Sequence, residues 1–391
     1  MLVLKNANML TMTDERIWKG DMAIQGTKIR AVADNIRVGD QDHVIDLAGK
    51  FLMPGLIDAH CHIGMWEDSL DFEGADGNET IDPVVPHLRA IDSINPYDRC
   101  FREAMESGVT TVMTGPGSAD AIGGTFVAMK TVGRTVDEMI VREPAAMKIA
   151  LGENPKRVST ELKRGAVTRM GTVALIREAM AKAQRYREAM ERAQGDPSKM
   201  PTYDIKCEAL LPVLRREIPL KTHCHRADDI ITALRIADEF NVEITLDHVT
   251  DGARIADVLK ERQVGLILGP LFGDRSKPEL ASLSMKNPAI LSEKGLLFAI
   301  MSDHPVNPTS YLPVIAALAV REGLDAWVAL RAITITAARI LKIDDRVGSL
   351  EMGKDADLVI YDRNPLDIHS RVSQVYVNGK KTFDRISSNT L

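Results

Sequence analysis

Phe51-Leu-Met-Pro54-Gly55-Leu-Ile-Asp58-Ala-His60-Cys61-His62 is the stretch around which the chain is organised. A Pro-Gly turn leads into an apolar run, Leu56 to His62, that reads as a buried strand ending in two histidines. Residues i and i+2 of a strand point to the same side, so His60 and His62 present both imidazoles to one place. Cys61 between them points the opposite way and is expected to pack. His-x-His also occurs by chance in surface loops, and its weight here comes from later segments that end in similar chemistry.

The chain of 391 residues is too long for an ordinary single core and too short for three full-sized domains. One large domain with a smaller satellite is the expectation. Apolar content of 45% and charged content of 27% are globular values, and a net charge of -6 is mild. That balance disfavours nucleic acid or an anionic membrane as the principal partner, because both select clustered basic residues. No run of apolar residues is long enough to span a bilayer. The first residues, Met-Leu-Val-Leu-Lys-Asn, lack the pattern of a signal peptide. The four cysteines, Cys61, Cys100, Cys207 and Cys224, are scattered, which fits reduced thiols and a cytoplasmic location. A small-molecule substrate is the expected partner. A homo-oligomer is compatible with the sequence, which sets no number of copies.

Residues 1–53 read as short strands separated by Gly26, Gly39-Asp40 and Gly49, and the tail returns to the same texture at Ala356 to Tyr361 and Val372 to Phe383, with an Asn378-Gly379 hairpin. Each end is too small to bury a core alone, so the two are expected to pack together as one β-sandwich. Between them, strand-like runs start at Gly108, Ala145, Pro219, Val242, Val264 and Leu296 and alternate with helical runs. Asp228 to Phe240 carries Ile231, Leu234, Ala237 and Phe240 on one face. Gly171 to Ala193 carries a packing stripe of Val173, Ile176, Met180, Ala183 and Met190. Alternation over about 290 residues predicts an α/β fold, a (β/α)8 barrel with its third strand near Thr125 to Val132. The expected division is 1–53 and 346–391 for the sandwich and 54–345 for the barrel. Residues 64–96 form an unpatterned acidic stretch, read either as a specificity loop or as a solvated surface loop.

Lys148 lies in one of these strands, and His223, His248 and Asp303 end three more. In such a barrel the C-terminal strand ends converge on one mouth, where the chemistry is kept. His225 follows His223 by two residues and shares its side of the strand.

On these residues the chain resembles the amidohydrolase superfamily, and within it the branch grouping imidazolonepropionase-related hydrolases with prolidase-like dipeptidases. The carriers are Pro54-Gly-Leu-Ile-Asp-Ala-His-Cys-His62 and Gly348-Ser-Leu-Glu-Met-Gly-Lys-Asp-Ala-Asp-Leu-Val-Ile360, and the likeness runs nearly end to end. The resemblance implies two divalent metal ions per chain, zinc by the chemistry of imidazole and carboxylate ligands. His60 and His62 would bind the more buried ion, His223 and His248 the second, and Lys148 as a carbamate would bridge them. Asp303 would be both a ligand and the general acid/base, with His225 beside the substrate or behind the ligands. A lysine buried in an apolar barrel has its pKa lowered, which leaves a neutral amine able to take up carbon dioxide. The rival bridge is Glu153.

The reaction implied is hydrolysis of an amide-type carbon–nitrogen bond by a metal-bound hydroxide, in a dipeptide, an N-acyl amino acid or a cyclic amide. The alternative is a mononuclear, imidazolonepropionase-like hydrolase in which Lys148 is an ordinary amine. Deaminase relatives carry a glutamate two or three residues after the histidine equivalent to His223. Here those positions are His225 and Arg226, which counts against a deaminase. Arg226, Arg275 and Lys277 follow strand-like segments and offer candidate grips for a substrate carboxylate, with solvent-exposed cations as the plain alternative.

Overall fold

A computed structural model describes residues 1–68 and 70–385. Ser69 of the acidic stretch and residues 386–391 of the expected C-terminal part lie outside the described residues.

Two eight-stranded sheets organise the chain. The first joins both ends: β1 (Leu2–Met9), β2 (Trp18–Gln25), β3 (Lys28–Ala33), β4 (His43–Asp46) and β5 (Phe51–Pro54) come from the start. The second is the barrel sheet, β6 (Leu56–Cys61), β7 (Val109–Thr114), β8 (Ile122–Lys130), β9 (Ile140–Ala150), β10 (Leu220–Cys224), β11 (Ile244–His248), β12 (Gly265–Leu268) and β13 (Phe298–Ile300). The tail returns to the first sheet with β14 (Leu358–Tyr361), β15 (Val372–Val377) and β16 (Lys380–Asp384).

In the terminal sheet, β1 pairs with β2 along its length, with β4 at Leu2 to Lys5 and with β5 at Asn8 and Met9. The sequence predicts a β-sandwich at this place, and the pairing describes one branched network. Leu4, Met9, Met22, Ile29, Leu52, Leu358 and Tyr376 form a core of their own. Val359, Tyr361, Val372 and Val375 instead belong to the barrel's core. Neighbouring strand residues therefore divide between two cores, as a period of two requires.

The barrel strands follow chain order from β6 to β13, and the sheet is nearly closed. Asp303 N donates to His60 O at 3.1 Å and His62 N to His304 O at 3.0 Å across the seam. The expected third strand exists, but β8 runs antiparallel to both β7 and β9, so the barrel departs from a regular (β/α)8. The cause is loop length. A parallel return needs about a dozen residues or more, and residues 115–121 and 131–139 are too few for that crossover.

The two predicted helices are present as Ala227–Phe240 and Arg169–Ala193. In the first, Ile230, rather than Ile231, is fully buried beside Leu234, Ala237 and Phe240. Gly55, at the entry to β6, is required by close approach: a Cβ there would lie 2.0 Å from Thr110 Oγ1. All four cysteines are buried and unpaired. Among the described residues, no helix is long and apolar enough to cross a membrane.

Because β8 is reversed, its last residue, Lys130, sits at the end of the barrel away from the mouth. It is buried, and Nζ lies 3.1 Å from Asp355 Oδ2 and also pairs with Asp357. Lys28 and Arg346 reach the same Asp355 at 2.7 and 2.9 Å, and Asn378 N donates to Asp357 Oδ1 at 2.8 Å. The Asp355-Ala-Asp357 part of the C-terminal motif thus fastens the terminal sheet to the barrel floor. Removing one partner of a buried pair leaves an uncompensated charge, so Lys130→Met is expected to cost about 3–5 kcal/mol. Urea unfolding checks this, and a loss below about 1 kcal/mol would show that the fastening is a surface-type pair.

Candidate active site

Strand periodicity builds the interior of the mouth. Asp58, His60 and His62 follow one another at alternate positions, as do Lys221, His223 and His225 on the fifth strand. In the parallel register Lys148 stands opposite Lys221, and His223 opposite Asp247. Cys61 and Cys224 point the other way into the apolar core, as the sequence predicts for Cys61.

Two members escape the periodicity. His248 follows the inward Asp247, so regular alternation would turn it outward. Left-handed backbone at His248 (φ 74) and Val249 (φ 51) returns its ring to the mouth. Asp303, beyond the end of β13, is also left-handed (φ 57). Such conformations are costly for residues with a Cβ and persist where the surroundings hold them.

Two groups of three donors result: His60, His62 and Asp303, and His223, His225 and His248, each with its ligand atoms within 4.8 Å of one another. Asp303 Oδ1 lies 3.4 Å from both His60 Nε2 and His62 Nε2. His62 Nδ1 donates to Gly115 O at 2.7 Å and His248 Nδ1 to Gly269 O at 2.8 Å. A carbonyl can only accept, so the lone pair of each ring sits on Nε2. His225 Nδ1 is held by Thr250 Oγ1 at 2.8 Å, and its ring stacks on His248 at 4.2 Å.

Behind the histidines lies a charge cluster that the sequence did not single out. Asp247 is fully buried and its Oδ1 accepts from Lys221 Nζ at 2.9 Å. Its Oδ2 lies 3.0 Å from His60 Nδ1 and 4.0 Å from Lys148 Nζ. Neither of those contacts has hydrogen-bond geometry, and Asp247 Oδ2, His60 Nδ1 and Lys148 Nζ all remain without a hydrogen-bond partner. Lys221 also donates to Ala59 O at 3.2 Å. Both lysines approach the Phe126 ring, at 5.3 Å for Lys148 and 5.5 Å for Lys221. Asp58 accepts from Ser302 N at 3.1 Å and from the Ser302 hydroxyl, tying the first strand to the residue before Asp303.

Burial sets the protonation states. It pushes the Lys148 amine down to about 8, helped by the Lys221 charge and opposed by Asp247. Burial also holds His62 near 4 and, with His223 beside it, His225 near 3, so these rings are neutral. For Asp303 burial acts upward, yet the His60 and His62 rings, whose Nε2 atoms lie 3.4 Å from Oδ1, carry the carboxyl well below its usual range.

Of the predicted site residues, His62, His223, His225, His248 and Asp303 line the cavity at the mouth, His60 groups with His62 and Asp303, and Lys148 lies deeper, beside Asp247. Glu153, the rival bridge, instead opens the helix Glu153–Glu161 and is half-buried. Arg226 turns away to Asp228 at 2.9 Å, and Arg275 donates to Leu283 O at 2.8 Å. Lys277 lines the cavity over the mouth, of about 320 Å³, with Trp66, Asn78, Asn154 and Phe272. The Trp66 and His62 rings meet in a T-shape with centroids 4.9 Å apart, so the acidic stretch reaches the site through Trp66 and Asn78. Its carboxylates at Asp68, Asp71, Glu73 and Asp76 face solvent. Asp58 and Lys221 were legible by alternation from His60 and His223. Asp247 and Glu279 had no such signal.

His60 Nε2, His248 Nε2 and Lys148 Nζ are buried and satisfied by no protein group. Donors of imidazole and carboxylate type converging in this way fit divalent cations. Lys148 and Asp247 should then behave oppositely in metal-free protein. Asp247→Ala strands Lys221 and should cost about 3–5 kcal/mol, whereas Lys148→Met removes an amine that makes no hydrogen bond and should cost nothing or stabilise. Unfolding in a chelator reads both. Equal losses would make Lys148 a structural cation.

Residues 51–384 match the amidohydrolase family model. An amidohydrolase from Thermotoga maritima MSB8 is 42% identical, with a TM-score of 0.96 over 98% of this chain and 100% of that one. Amidohydrolase tasK of Hapsidospora irregularis is 29% identical over 94% of this chain, which spans 40% of that relative's length. A 5-methylthioadenosine/S-adenosylhomocysteine deaminase of Caldanaerobacter subterraneus subsp. tengcongensis is 23% identical over 98% of this chain and 93% of its own. With a family match over most of its length and a relative of that identity covered from end to end, the chain belongs to the amidohydrolase family and is a hydrolase of carbon–nitrogen bonds.

Proposed function

We propose that the protein is a two-metal hydrolase of an amide-type bond in a small molecule, a dipeptide, an N-acyl amino acid or a cyclic amide. The observation that carries this reading is the pair of three-donor groups flanking a buried, unpartnered lysine. His60, His62 and Asp303 would hold the inner ion, and His223 and His248 the outer one. Lys148, as a carbamate, would bridge them. Two lysines enter the barrel here, and the lack of a hydrogen-bond partner favours Lys148 over the Asp247-bonded Lys221. Zinc suits this donor set.

When bound, such ions lower the pKa of water and polarise a carbonyl. The remaining chemistry belongs to the chain. Asp303, its carboxyl held well below the usual range, accepts the proton of the attacking water and returns it to the leaving nitrogen. The carbonyl carbon gains the oxygen, and the product amine leaves with the proton. Among the described residues, Lys277 is the only lysine or arginine lining the cavity, and it supports a substrate carrying a carboxylate. Trp66 and Phe272 supply apolar walls.

The deaminase relative suggests a second, mononuclear reading, and either three-donor group is sufficient for one ion. The positions after His223 that would bear the ring-protonating glutamate are His225 and Arg226, which favours the first reading.

Metal analysis after reconstitution with bicarbonate separates the two: about two ions per chain are expected, and one would sink the two-metal reading. Labelled bicarbonate should place a carbamate on Lys148. Its formation should increase as pH rises through about 8, because the amine is then neutral. Lys148→Met should abolish the label, and a label that persists would point to another lysine. Asp303→Asn should lower kcat by about 100- to 10,000-fold on the true substrate.

A further inference from the structure

Glu279 has no part in the reading above. It lies in the short turn Pro278–Leu280, which follows β12, with its side chain 1% exposed. Glu279 Oε2 accepts from Glu153 N at 3.0 Å. A Cβ on Gly152 would come within 3.0 Å of the same oxygen, so the backbone packs tightly against this carboxylate. Oε1 is buried with no hydrogen-bond partner. It lies 3.7 Å from His223 Nε2 and 3.7 Å from His225 Nε2.

Those separations are too long for a hydrogen bond. They match the spacing of two donors on one cation: ligand bonds of about 2.0–2.2 Å in tetrahedral array place neighbouring donors about 3.4 Å apart. His225 Nδ1 is occupied by Thr250, which leaves Nε2 on the Glu279 side free. His248, grouped with His223 and His225 as a donor, has a buried Nε2 without a hydrogen-bond partner. The nearest protein cation to Oε1 is Lys277 Nζ at 3.8 Å, but it bonds Asn154 Oδ1 at 3.0 Å and is one-third exposed. A buried carboxylate oxygen among neutral imidazoles is unfavourable until a positive charge joins it.

We propose that Glu279 is a ligand of the outer cation, held together with the imidazoles of His223, His225 and His248. This rests on the two-metal reading. It gives the outer ion an anionic ligand that does not depend on carboxylation of Lys148, and it makes His225 a metal ligand.

The test uses the full chain, stripped of metal and reconstituted with cobalt(II) in bicarbonate, with metal counted per chain and the cobalt absorption recorded. The parent should hold two ions. Glu279→Gln should keep the inner ion and bind the outer one more than about tenfold more weakly, with loss of one component of the spectrum. Metal-free Glu279→Gln should melt no lower than the metal-free parent and gain less on adding cobalt, because the stranded charge is gone. If Glu279→Gln binds both ions with unchanged affinity and spectrum, the assignment of Glu279 is overturned while the two-metal reading stands. If the parent binds a single ion, both fall. Should Glu279→Gln not fold, Glu279→Asp, which keeps the charge and shortens its reach, must show the weakened outer site. Unchanged affinity there also overturns the assignment.

Discussion

Asp247 is the charge on which the interior of the mouth depends. It is fully buried between strands five and seven of the barrel. One oxygen is bonded to Lys221 and the other faces His60 and Lys148. Burial acts to raise its pKa, and the cations around it carry it far below the usual carboxylate range. An ionised carboxylate can stay in a dry core only with such neighbours. With Asp247 in place, Lys221 can be buried charged, and His60 has an anion behind the ring that faces Asp303. Lys148 is left close to the cluster without belonging to it.

The two ends of the barrel treat buried charge differently. At the floor, Lys130 pairs with Asp355 and Asp357, and Lys28, Arg346 and the Asn378 amide complete the set. Satisfied networks of this kind hold one structure rigidly. At the mouth, Lys148 Nζ, His60 Nε2, His248 Nε2 and Glu279 Oε1 stay unsatisfied in the protein alone. The contrast separates fastening from function. Polar groups left open in one place, in a chain that pairs them elsewhere, mark where other chemistry enters.

Much of this was legible in the sequence. The His60-Cys61-His62 spacing fixed which side chains face inward, and segments ending at His223, His248 and Asp303 supplied the rest of the donors. Alternation also held Asp58 and Lys221 in plain view. Less legible was anything that depends on chain reversal or on irregular backbone. The third barrel strand runs backwards because its connections are too short to cross over. Arg226 and Arg275 lie near strand ends in sequence, but their side chains are spent on Asp228 and on Leu283 O.

By itself, the sequence determined the barrel, the joining of the two chain ends and the donor types, because strand period and residue chemistry are local properties. Tertiary structure decided how those donors group. His248 reaches the mouth only through left-handed backbone, and Glu279 approaches His223 and His225 from a turn that no periodicity anticipates. The difference between the paired Lys221 and the unpaired Lys148 is likewise set by where Asp247 points. Local pattern fixes the face on which a side chain stands, and only the packed barrel fixes the distances between faces.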